Sequence, residues 1–370
     1  MGNQRLYKVL RYLILSIVFF FLTSCGEFVG LKDNDVDTGD VEEVHIFLSQ
    51  DNLHRLYSSV ALDFYTSCTL EKGKWYGDAE IKVRGLSSRM KHKKSFALKI
   101  DGKKYILERG EENGGLYNRI AMRTYQLVGV SACDTESVAL FLNDEYLGCY
   151  NFITYYDPDS MAGELFKCWI KYTTDMHDNH PLSSLCEKKF PDDGDLSNLE
   201  HLFYACSTLS ASEWREFVNK HVDIEKTAAY LAVHDFLTVV DTTHTNYYIQ
   251  FDGKYRIVPW DNEQNMLKYR ENYILCGDTH LIRQLAAVPE IKDAYNQIMQ
   301  KFFIGGGDTV ILDQLKAEAE TMFDDLATAM EKDPEFGTSR QNFMNMKAYV
   351  LDYLDKNTGR AAEVEALTLH

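Results

Sequence analysis

Positive charge is in short supply in this sequence: 39 Lys and Arg stand against 56 Asp and Glu, a formal charge of -17 over 370 residues. Nucleic-acid sites are built on an excess of Lys and Arg, so this balance argues against phosphate-backbone binding as a main activity. A nucleotide held through metal ions remains compatible, because the cation supplies the positive charge. Also missing are an internal repeat, a low-complexity segment and an apolar run of the ~20 residues that a membrane span needs. No pair among the eight cysteines has zinc-ligand spacing. With Cys25 set aside, an odd number is scattered through the chain, which is not a disulfide framework. They read as buried small hydrophobes. "HDNH" at 177–180 lies in a polar, turn-rich segment and reads as a solvated loop.

What is present is enough apolar surface for a large core: 45% of residues are hydrophobic and 13% aromatic. That allows one large domain or two smaller ones. At the N-terminus, Arg5, Lys8 and Arg11 precede the run "YLILSIVFFFL", the charged-then-apolar layout of an export signal. It ends in "LTSC", which resembles the lipobox of bacterial lipoproteins, in which the cysteine is lipidated. On this reading residues 1–24 are a signal peptide, Cys25 carries the lipid, and the acidic stretch 25–42 is a flexible tether. The expected location is the bacterial cell envelope, exported and anchored to the membrane through Cys25.

Residues 43–157 contain the short β-type runs "VHIFLS", "AEIKVRG", "SFALKI" and "KYILE" and the hairpin "SVALFLNDEYLGCYNFITYYD". The helical pattern "LYNRIAMRTYQLVG" interrupts them. Residues 158–222 read as helices and loops. From 223 onward helices dominate, except for a hairpin over 246–260. This order predicts an α+β arrangement with a cleft between a β-rich N-terminal lobe, 43–157, and a mainly helical C-terminal lobe, 158–365.

The hairpin "NYYIQFDGKYRIVPWD" collects oxygen-bearing side chains at its open end. If Asp252 and Gly253 form a two-residue turn, Asn246 faces Pro259, and Asp261 lies just beyond. The helix "DIEKTAAYLAVHDFLTVV" delivers the chain to Asp241 nearby. Convergent oxygen donors with open neighbouring positions suit a magnesium ion that also holds phosphate oxygens. The order helix, D-x-x-x-x-N, hairpin, Asp resembles the catalytic core of protein kinases, with "VVD" and "PWD" where the usual "HRD" and "DFG" stand.

"VRGLSSRMKHKKSFALKI", "LFLNDEYLGCYNFI" and "DTTHTNYYIQFDGKYRIVPWDNE" together resemble the signatures of the CotH spore-coat kinase family, in order over residues 43–365. The resemblance implies an atypical protein-kinase-like, two-lobed fold that uses ATP and Mg (or Mn) to phosphorylate Ser/Thr hydroxyls of a protein substrate. It implies Asp241 as the catalytic residue, with Asn246, Asp261 and Glu263 as metal ligands. It also implies Arg84, Gly85, Ser87 and Ser88 as a phosphate-side loop, from which Leu86 departs. "FALK" reads like the third-strand lysine motif of ordinary kinases and makes Lys99 the ATP-positioning candidate, with Lys93 and Lys94 as rivals. No Glu in "LYNRIAMRTYQLV" pairs with it, and Thr154 and Tyr155 stand near the family's acidic position. A catalytically degenerate, pseudokinase-like binding module is therefore the alternative.

The lipid anchor has its own test. Cys25→Ala should abolish both fatty-acid-analogue labelling and partition into detergent. Labelling that persists in this variant would remove the lipoprotein assignment.

Overall fold

A computed structural model describes residues 36–58, 64–85, 88–168, 186–239, 246–266, 279–304 and 311–368. Strands β1 (Glu42–Phe47), β2 (Thr66–Lys72), β3 (Trp75–Arg84), β4 (Ser95–Ile100), β5 (Lys103–Arg109), β6 (Thr135–Leu142) and β7 (Glu145–Thr154) close into a barrel in the order β1-β2-β3-β4-β5-β7-β6. Closure comes from a parallel pairing of β1 with β6, between segments almost a hundred residues apart, which no local pattern announces. Alternation along each strand sends Val44, Leu70, Ile81, Phe96, Leu98 and Leu107 inward. The β6–β7 turn is the one "NDEY" predicts, with Asn143 and Asp144 at φ 48 and 64. Two elements exceed expectation, α1 (Gln50–Ser58) and β2. In β2 the small polar residues of "TSCTLEK" disguise the alternation.

The mixture of strands and helices is as expected, but residues 158–222 hold more β-structure than the helices and loops predicted. Strands β8 (Glu164–Cys168) and β9 (Cys186–Phe190) join β10 (Tyr247–Phe251) and β11 (Tyr255–Pro259) in a four-stranded sheet of order β11-β10-β8-β9. "CEKKF" hides its strand character because Lys188 is buried and paired with Glu164 at 2.6 Å. The hairpin register also differs from expectation. Phe251 pairs with Tyr255, so Asp252, Gly253 and Lys254 all lie in the turn, and Tyr247 rather than Asn246 faces Pro259. One extra loop residue moves the whole register by one.

The helices are α2 (Leu116–Leu127), α3 (Ser197–Thr208), α4 (Ala211–His221), α5 (Ile224–Phe236), α6 (His280–Ala286), α7 (Pro289–Met299), α8 (Leu312–Glu331) and α9 (Arg340–Thr368). In helix α5 every side chain from Thr227 to Val233 is buried, as a central core helix requires. Helices α2 and α8 cover one outer flank of the barrel, where Ile120, Ala121, Leu326 and Met330 share a core with Ala139, Phe141, Tyr146 and Cys149. A smaller cluster joins Ile106 and Ile153 of the barrel to Tyr248, Val258 and Trp260 of the four-stranded sheet. Among the described residues no helix is long and apolar enough to cross a membrane.

One buried ion pair ties the barrel to the α8–α9 connection. The Lys93 ammonium donates to Asp333 Oδ2 at 2.6 Å and to the Cys149 carbonyl at 2.8 Å, and both charged side chains are 0% exposed. The same Oδ2 accepts from the Cys149 amide at 2.7 Å, while Oδ1 accepts from the Glu335 and Phe336 amides. The rings of Tyr150 and Phe336 lie 4.8 and 5.4 Å from the ammonium. Gly148 has to be glycine here. Its φ is 104, and a Cβ would meet Asp333 Oδ2 at 2.2 Å and Lys93 Nζ at 2.8 Å.

Removing one partner leaves an uncompensated buried charge, so Lys93→Met or Asp333→Ala should each cost ~3–5 kcal/mol of stability. The double variant should lose much less than the sum. Denaturant melts of the three variants beside wild type measure this. Additive losses would show that the two side chains are not coupled.

Candidate functional site

The loop after β11, "WDNEQNM", is fastened to helix α2 and to the end of α5. Asn262 N donates to Asn118 Oδ1 at 3.1 Å, Asn265 Nδ2 donates to the Tyr117 carbonyl at 2.8 Å, and Met266 N donates to the Leu237 carbonyl at 2.7 Å. At its start, Trp260 N donates to the Asn246 carbonyl at 3.2 Å, and Tyr156 OH donates to the Pro259 carbonyl at 2.7 Å. Asp261 adopts a left-handed φ of 55, unusual for a residue with a side chain. So tight a loop fixes where its carboxylates can go.

They go to Glu108. Carboxylate oxygens of Glu108, Asp261 and Glu263 all lie within 4.8 Å of one another. Glu108 sits on the outer face of β5, opposite Asn151 of β7, and accepts from Asn118 Nδ2 at 2.8 Å and Asn151 Nδ2 at 3.2 Å. Burial, reinforced by the charge of Asp261, pushes the Glu108 carboxyl up to about 7 against those hydrogen bonds. Burial and then the charges of Glu108 and Asp261 push Glu263 up to about 9. Asn151 Oδ1 is buried and has no hydrogen-bond partner among the described residues. An all-oxygen set of carboxylates with a neighbouring amide oxygen fits a hard divalent cation such as Mg or Mn.

Cations stand close by. The Arg84 guanidinium lies 5.5 Å from the Trp260 ring, at the end of β3 where Gly85 takes φ 108. Lys167 on β8 lies over Tyr248, with its ammonium pulled down to about 8 by burial and then by the positive charges of Arg84 and Lys189. Tyr155, Tyr156, Tyr248 and Trp260 pack edge to face beside them, with the Tyr155 and Tyr248 hydroxyls 2.9 Å apart.

The structure thus brings Asp261 and Glu263 together, with Arg84 and Gly85 nearby and Asn246 opposite Trp260. Ser88 opens the 3-10 turn Ser88–Met90. Asp241, Ser87 and Cys25 lie outside the described residues, as does the 177–180 segment. Lys99 is not brought to the carboxylates, since its ammonium lies 4.2 Å from the Tyr65 ring and 3.4 Å from Glu80. Of its rivals, Lys93 belongs to the buried tie, and Lys94 donates to the Arg89 carbonyl at 2.9 Å. Sequence reasoning missed Glu108, Asn118, Asn151 and Lys167. The available signal for Glu108 was a carboxylate ending the otherwise apolar strand "YILE".

A family model described as CotH kinase protein matches residues 81–359. A crystal structure of the Helicobacter pylori proinflammatory kinase CtkA is 10% identical, covering 74% of this chain and 94% of that one at a TM-score of 0.34. No curated protein matches.

Glu108 and Glu263 hold protons in the folded metal-free chain at pH values where the unfolded chain has lost them. Stability from this pair is therefore greatest below the ordinary carboxylate range and falls as pH rises through about 7 and then about 9. Melting temperatures in EDTA should drop between pH 5.5 and 9, and Mg or Mn should restore more at pH 9 than at pH 5.5. A metal effect independent of pH would argue against a carboxylate site.

Proposed function

The chain belongs to the CotH kinase family, and from that premise we propose that it is an ATP- and divalent-metal-dependent protein kinase acting on Ser/Thr hydroxyls. The observation that carries the reading is the convergence of Glu108, Asp261 and Glu263 at the end of the β10–β11 hairpin, within the matched segment. We read the barrel and the helical part as the two lobes of an atypical kinase-like fold, with the nucleotide between them. The Cys25 lipid would hold this enzyme at the bacterial cell envelope.

Glu108, Asp261, Glu263 and the Asn151 amide oxygen would hold the metal, with Asn246 at the neighbouring hairpin position. A bound Mg or Mn ion would neutralise charge on the phosphate oxygens. Arg84, Gly85, Ser87 and Ser88 would serve the phosphates in this reading, and Gly85 lets the backbone approach closely. Lys167 supplies the further cation that the third-strand lysine motif of ordinary kinases would place at Lys99. The aromatic group of Tyr155, Tyr156 and Trp260 walls the site against water, which strengthens the charge interactions inside it. Asp241 orients the attacking hydroxyl and accepts its proton, a role that rests on the resemblance. Catalysis of this kind is mostly positioning and charge neutralisation, so few residues are needed.

The two aspartates should fail differently. Asp261→Ala removes a charged metal ligand, so metal-dependent ATP affinity and turnover should fall together. Asp241→Asn keeps size and polarity, so nucleotide binding should survive while transfer drops ~10²-fold or more. Calorimetric ATP affinity and radiolabelled transfer are measured for each variant beside wild type. Wild type that binds Mg-ATP yet transfers no phosphate would favour the pseudokinase-like binding module. If neither substitution changes either quantity, the hairpin end is ordinary structure.

A further inference from the structure

At the barrel end opposite α1, the β2–β3 and β4–β5 turns and the adjoining ends of β6 and β7 surround a pocket of about 870 Å³. That is the size of a small-molecule site, and barrel mouths are a recurrent place for one. It is distinct from the carboxylate site. Glu108 leaves β5 on the outer face, whereas Leu107 and the half-buried Tyr105 pack with the barrel interior that forms the pocket floor.

The floor is the last apolar layer of the barrel, Leu70, Ile100 and Phe152. Aromatic rings rise from it. Tyr105 and Phe152 lie 5.2 Å apart at an interplanar angle of 32°, and Trp75, also half-buried, stands at the β2–β3 turn. Around them the rim carries both signs. Lys72, Lys103 and Arg119 are matched by Asp101, Asp134 and Glu136. These groups are held by their neighbours. Lys72 pairs with Glu42 and, at 2.9 Å, with Glu136, and its ammonium sits 5.3 Å from the Phe152 ring. Lys103 pairs with Asp159 at 3.1 Å, and Arg119 Nη1 donates to Ser137 Oγ at 3.1 Å.

A ligand with net charge gains nothing from a rim of balanced sign. A neutral ligand with many hydroxyls finds fixed donors and acceptors of both signs, above aromatic faces that can take its C–H surface. We propose that the barrel mouth binds a neutral saccharide, with a sugar ring against Trp75 and hydroxyls bonded to the charged rim. Nothing in this proposal depends on phosphate transfer.

The full chain is titrated by calorimetry with maltose, cellobiose and N,N′-diacetylchitobiose. At least one should bind saturably, Trp75→Ala should weaken it about tenfold, and Trp75→Phe, which keeps an aromatic face, should retain most of the affinity. A melting curve of each variant separates lost binding from lost folding. Excess Mg-ATP should leave the sugar affinity unchanged. The proposal is overturned if none of the three sugars binds, if folded Trp75→Ala binds as wild type, or if Mg-ATP competes. Stronger binding of glucose 6-phosphate than of the disaccharides would overturn the neutral class in favour of an anion.

Discussion

The arrangement depends on one buried charge. Lys93 could not sit fully enclosed without a partner, because an isolated ammonium in a low-dielectric interior costs many kcal/mol. Asp333 supplies that partner from 240 residues away, and the Cys149 backbone supplies the rest of the hydrogen-bonding shell. The pair therefore specifies a geometry more than it adds stability. It fixes the middle of β7 against the α8–α9 connection, and Asn151, two residues beyond Cys149, is thereby set beside Glu108. Gly148 and Tyr150 flank the same amide, one for want of space and one as a wall of the cage.

The carboxylate site shows the opposite balance. Three carboxyl groups share one small volume, two of them keeping their protons well above the ordinary carboxylate range, and Asp261 joins them from a left-handed backbone. Such strain persists only when its surroundings over-determine it. Here the clamps are Asn118 on the Asn262 amide, Tyr156 on the Pro259 carbonyl and Leu237 on Met266. Those clamps hold the three carboxyl groups within reach of one another, as a shared oxygen-ligated cation would require.

Much of this was legible in the sequence. The strands with clean alternation, β1, β4, β5 and the β6–β7 hairpin, are present, and so is the hairpin over 246–260 with its register moved by one. What could not be read depends on contacts distant in the chain. The parallel β1–β6 pairing closes the barrel without a local signal, β9 carries Lys188 into a buried pair, and Glu108 becomes a site residue only when β5 meets the 261–263 loop. The lysines show the same limit. Lys93, Lys94 and Lys99 are interchangeable as letters, and only burial separates a structural tie from a half-buried cation beside Tyr65.

The remaining tension is between a chain of -17 and a proposed anionic ligand. Distance resolves it, because exposed charges beyond ~8–10 Å are largely screened at physiological salt, so the net charge acts weakly on a group already at the site. What acts there is local. Lys167 feels Arg84 and Lys189, and Lys104 feels Lys189, Lys82 and Lys99. These cations run along the outer face of β3–β5 and onto the β8–β9 edge, beginning beside the carboxylates. Positive charge that is scarce in the whole chain is thus gathered on the face where the proposed phosphate would lie.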